Sequence, residues 1–77
     1  MLMKWELQNP RALVKRAYIE TDGSGGVALQ WVERDNENNE TKTERRYFPE
    51  ENRAKRFFGK HVLARRWFGT NKWKQTQ

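Results

Sequence analysis

One stretch, Phe48-Pro49-Glu50-Glu51-Asn52-Arg53-Ala54-Lys55-Arg56-Phe57-Phe58-Gly59, carries helical signals in a chain whose other periodic runs mostly alternate. Pro49 has a preset φ and no N–H to satisfy, which suits a first helical position. Glu50 and Glu51 bring negative charge to the positive end of the helix dipole. Ala54, Phe57 and Phe58 recur at helical spacing and form one apolar stripe. Gly59 can adopt the left-handed conformation that closes a helix. A short helix with a single apolar stripe must bury it against another layer, so the rest of the chain has to supply a sheet.

The runs that could build this sheet lie on both sides of the helix. In residues 13–21, Leu13, Lys15, Ala17, Ile19 and Thr21 fall on one face, and Val14, Arg16, Tyr18 and Glu20 on the other. A helix from Pro10 to Ile19 competes here, because Arg11, Ala12, Leu13 and Lys15 all favour it. Residues 27–34 give the clearest period of two, with Val27, Leu29, Trp31 and Glu33 on one face. Leu29 and Trp31 are therefore expected to meet the helix. Residues 41–48 are polar on both faces until Tyr47 and Phe48, which suits a sheet edge. Asp22-Gly23-Ser24-Gly25-Gly26 reads as a hairpin turn, and Asp35–Glu40 as a polar loop.

Beyond the helix, residues 60–69 admit two readings. A helical one extends the stripe through His61, Val62 and Arg65 with Gly59 inside. The preferred one is a fourth strand ending at Gly69. Residues 1–9 and 70–77 are expected as arms, although Trp5 and Leu7 alternate with polar neighbours as in a short edge strand. The expected architecture is a single α+β domain over residues 1–77. It consists of a small antiparallel sheet of three or four strands packed on one helix, in the order β-β-β-α-β.

A chain of 77 residues has room for only a small core. Four Trp, four Phe and two Tyr matter for that reason, since each supplies a large apolar area from one position. There is no cysteine, which excludes disulfides and thiolate metal sites. No apolar run approaches the roughly 20 residues of a membrane-spanning helix. The first six residues lack the apolar core and cleavage site of a signal peptide. A soluble cytoplasmic protein is expected, with no membrane partner.

Charge is unevenly distributed. Residues 17–44 carry a net −5 and residues 53–77 a net +8, within a total of +6. A basic last third attracts phosphate backbones or an acidic protein surface. It also simply solubilises an aromatic-rich domain.

Catalytic and cofactor chemistry find little support. The glycines at 23, 25 and 26 are followed by Val27-Ala28, where a phosphate-cradling loop needs Lys-Ser/Thr or a helix. The 35–40 loop lacks the central glycine of a calcium loop. His61 is the only histidine, and no carboxylate lies within residues 53–77 to join it at a metal. Ser24 has no nucleophile-elbow surroundings. Glu20/Asp22 and Glu33/Asp35 are the one carboxylate grouping that a hairpin could gather around a divalent ion. The expectation is a non-enzyme with neither metal nor cofactor.

What remains is the interleaving of cations with aromatic rings, the combination by which nucleic-acid binders neutralise phosphates and stack bases. Arg53, Lys55, Arg56, Lys60, Arg65, Arg66, Trp67, Lys72, Trp73 and Lys74 are the candidate contact residues, with Lys42, Arg45 and Arg46 as a secondary set. The leading expectation is a small basic DNA- or RNA-binding protein. The alternative is an accessory protein, of the kind encoded by phages and mobile elements, that uses the same residues to bind an acidic surface of another protein and regulate it. A second alternative is a structural role with homodimerisation through a sheet edge.

Overall fold

The computed structural model describes residues 2–8, 10, 13–21, 23, 25–62 and 72–77. Its elements are β1 (Met3–Gln8), β2 (Val14–Thr21), β3 (Val27–Arg34), β4 (Glu40–Phe48), α1 (Glu51–Phe57) and β5 (Lys72–Gln75). The strands form one antiparallel sheet in the order β4-β3-β2-β1-β5. The protein is thus α+β, and among the described residues a small sheet carries one helix, with five strands in the order β-β-β-β-α-β.

The extra strands come from the segments expected as arms. Trp5 and Leu7 bury their side chains from β1, and β1 pairs with β2 on one side and β5 on the other. Beyond β5, the Thr76 N–H donates to the Lys4 carbonyl at 2.7 Å, and the Lys4 N–H donates to the Gln77 carbonyl at 2.9 Å. A small core explains the recruitment. Without Trp5, Leu7 and Trp73, the helix would cover a sheet with one unsealed flank.

The competing helix over Pro10–Ile19 is not formed, since Val14–Thr21 is strand β2. Its register shifts between Val14 and Arg16 as it pairs with β3. This bulge inserts one residue and reverses the facing of everything before it. Val14 joins Ala17 and Ile19 in the core at 2% exposure, whereas Leu13 is 56% exposed. Strict alternation had assigned those two residues the opposite way.

The core lies between the sheet and the helix. Ile19, Leu29, Ala54 and Phe58 are wholly buried, with Trp5, Leu7, Val14, Ala17, Val27 and Trp31 around them. Burying an aliphatic or aromatic side chain of this size contributes about 1.5–3 kcal/mol. Phe58 meets the rings of Trp31 and Trp73 edge-on, at 6.0 and 5.5 Å between centroids. Phe57 packs on Phe48 at 5.2 Å and stacks with His61 at 4.9 Å.

The helix differs from its expected ends. Pro49 precedes the cap rather than opening the helix, and Glu50 is the extended N-cap residue, without a side-chain capping bond. Gly59 does not stop the chain. The helix continues as a wide π-type turn over Phe58–Val62, which is the competing helical reading of that region. This continuation allows Phe57 and Phe58 to reach different parts of the core in succession. Residues 61–62 therefore do not open a fourth strand, and the rest of that expected strand, residues 63–69, lies outside the described residues.

The β2–β3 turn fulfils its expected role. Gly23, Gly25 and Gly26 all have positive φ. Thr21 Oγ1 accepts from the Gly23 N–H at 3.1 Å and donates to the Gly26 carbonyl at 2.8 Å. The β3–β4 loop is tied by Asp35, whose Oδ1 accepts the N–H groups of Glu37 and Asn39, each at 2.9 Å. These bonds, that to Asn39 foremost, hold the Asp35 carboxyl below its ordinary pKa.

Candidate nucleic-acid interface

The helix covers one face of the sheet. The other is built by the alternate residues of every strand. Registers place Lys4, Glu20, Ala28 and Tyr47 in one cross-strand row, and Glu6, Tyr18, Gln30 and Arg45 in the next. Lys74 extends the second row from β5, and Lys72 lies beside Gln8. Arg16, Val32 and Thr43 follow toward the other end. Ala28 and Val32 are buried on this side, at 5% and 3%, yet stand apart from the main core. Their larger neighbours shield them.

Polar side chains of this face form two networks. Glu40 Oε2 lies 3.0 Å from Arg16 Nη1 and 3.4 Å from Lys15 Nζ. The hydrogen bonds from Arg16 and then Lys15 hold the Glu40 carboxyl below its ordinary pKa. Arg45 centres the second network. Its Nε donates to the Tyr47 hydroxyl at 3.0 Å, Nη1 to Gln30 Oε1 at 2.8 Å, and Nη2 to Glu20 Oε1 at 3.3 Å. The Tyr47 bond is the main cause of an upward shift in the Arg45 pKa. The ring of Tyr47 remains 75% exposed. Lys4 Nζ sits 4.4 Å from the centroid of the Tyr18 ring.

The sheet separates the expected contact residues. Lys72 and Lys74 reach the open face and are exposed; Trp73, between them, turns to the core and packs on Phe58. Trp73 is thus a core residue rather than an exposed ring flanked by cations, and its buried indole N–H finds no partner among the described residues. Arg53, Arg56 and Lys60 are exposed on the helix side. Lys55 pairs with Glu51 at 2.9 Å and lies 5.8 Å from the Trp5 ring centroid. Arg65, Arg66 and Trp67 lie outside the described residues.

The secondary set divides in the same way. Lys42 pairs with Glu44 at 3.2 Å, and Arg46 lies over the Phe57 ring, both on the helix side. Arg45 belongs to the open face. Lys4, Lys15, Arg16, Arg34, Tyr18 and Tyr47 join it there, although sequence reasoning did not single them out. Period-two alternation in β1, β2 and β3 was the signal for Lys4, Arg16 and Arg34, while the bulge obscured it for Lys15.

Of the grouped carboxylates, Asp22 lies outside the described residues, and Glu20 and Glu33 do not converge. Glu20 is on the open face near the glycine turn, and Glu33 is on the helix side at the other end of the hairpin, accepting from Trp31 Nε1 at 3.0 Å. Among the described residues, no three His, Asp or Glu side chains gather as metal ligands. No helix among them is long and apolar enough to cross a membrane. Comparison with protein-family models, curated proteins and solved structures returns no match.

Proposed function

We propose that the protein binds nucleic acid, and that the open face of the sheet, rather than the helix, is the contact surface. The observation that carries this reading is the association of tyrosines with lysines that form no ion pair, on a face that no other described element covers. Among the described residues, Lys4, Lys72 and Lys74 make no ion pair. Tyr18 and Tyr47 stand on the same face. Cations there outnumber the carboxylates Glu6, Glu20 and Glu40. A sheet that presents rings and cations can stack bases and neutralise phosphates together. No catalytic role is proposed.

The test is titration of labelled single strands and duplexes over a salt series. Charge-driven binding weakens linearly on a log–log plot as salt rises. Absence of binding to either form at low salt overturns the reading. One observation favours the alternative of a protein-directed regulator. Strand β4 is a nine-residue edge with mostly exposed side chains, open to strand addition by a partner or a second copy.

A further inference from the structure

The open face is not flat. A groove of about 440 Å³ runs beside the β2–β3 turn, lined by Leu2, Glu20, Gly26, Ala28, Arg45 and Tyr47 among others. Its floor is Ala28, a small residue between Glu20 and Tyr47 in the cross-strand row. The 45% exposed side chain of Leu2 and the 75% exposed ring of Tyr47 supply its apolar surface. The volume is within the roughly 300–1,000 Å³ of small-molecule sites.

The ring is held in place. Arg45 donates to the Tyr47 hydroxyl, to Gln30 and to Glu20 at once, so the exposed aromatic is fixed by three elements of the sheet. A ring ordered before a ligand arrives loses less entropy on binding. Glu20 contributes a second feature. Its Oε1 accepts from Arg45, while Oε2 accepts nothing from the described residues. An ionised carboxylate only accepts, and Oε1 keeps a second lone pair beside the free Oε2, so its complement is an edge with two adjacent donors.

From this geometry we infer that the groove takes one unstacked nucleobase, lying against Tyr47 over Ala28 with its donor edge toward Glu20, and that guanine is preferred. The inference rests on the nucleic-acid reading above. Guanine alone among the common bases presents two adjacent N–H groups, N1–H and N2–H, to a single carboxylate. The cations Lys4, Lys72 and Lys74 on the same face provide the charge complementarity that a strand requires. A base must leave its stack to enter, so single strands bind in preference to duplex.

The experiment uses fluorescence anisotropy with the full chain. The probes are thymine-rich single strands carrying one central guanine, adenine, cytosine or thymine, and a duplex of matched length. The guanine strand should bind most tightly. Tyr47→Ala should weaken single-strand binding about tenfold or more, as expected for loss of one base–aromatic stack, while Tyr47→Phe retains most of it. Glu20→Gln should lower the affinity for the guanine strand to that for the other three strands. Far-UV circular dichroism of each variant confirms an intact fold. Salt-dependent binding that is equal for all four strands and for duplex, and unchanged by Tyr47→Ala, overturns the base site and leaves the phosphate-binding face standing. No binding by the wild type at low salt overturns both.

Discussion

Neutralising Lys72 and Lys74 separates the open face from every other basic surface of the protein. Three lysines there, Lys4, Lys72 and Lys74, are free of carboxylate partners among the described residues. Arg16, Lys15 and Arg45 are already held by Glu40 and Glu20, and they release no full counterion charge on binding. If each free lysine neutralises one phosphate of a single strand, log K against log salt has a slope of about −2, at roughly 0.7 per phosphate. Affinity then falls about 18-fold between 50 and 200 mM salt. The variant K72Q/K74Q keeps one such contact, so its slope shrinks to about −0.7 and its loss over the same range to about 2.6-fold. The assay is anisotropy titration at five or six salt concentrations, with R53Q/R56Q/K60Q as the comparison. That triple variant changes only helix-side cations and should leave the slope at the wild-type value. An unchanged slope in K72Q/K74Q, together with a reduced one in the triple variant, refutes the assignment of the binding face.

Other consequences concern stability. Phe58→Ala removes the ring that joins Trp31, Trp73 and the helix, and should cost about 3–5 kcal/mol in urea unfolding followed by tryptophan fluorescence. Phe57→Ala, at a half-buried position, should cost measurably less; equal costs would show that the helix is not anchored through Phe58. Gly26→Ala should destabilise by about 1–2 kcal/mol, because φ is +74° and the new Cβ would lie 3.2 Å from the Phe48 carbonyl oxygen; thermal melting reports the shift. Glu40 titrates below the ordinary carboxylate range, so its bonds to Arg16 and Lys15 contribute fully above that range and are lost as pH falls through the lowered folded-state value. Carbon-detected NMR titration of the Glu40 carboxyl checks this, and R16A with K15A should return it to the ordinary value.

Local signals were enough to identify the main elements and the edge position of β4. Strict alternation over 27–34 placed Leu29 and Trp31 under the helix, and three glycines marked the β2–β3 turn, because side-chain period and positive φ are properties of a few neighbouring residues. The ends of the helix were less legible. Pro49 and Gly59 permit helix boundaries but do not impose them, and burial of Phe58 carried the helix past Gly59.

The amino-acid sequence by itself determined a small α+β domain, a hairpin and a pool of cations and rings. Only the tertiary structure decided which of them share a surface. A one-residue bulge in β2 set the facing of Val14, and pairing of β1 with β5 turned Trp73 into the core while sending Lys72 and Lys74 to the far side. Linear charge clustering could not foresee that division, because facing in a strand changes with every residue, and long-range pairing fixes which face is covered.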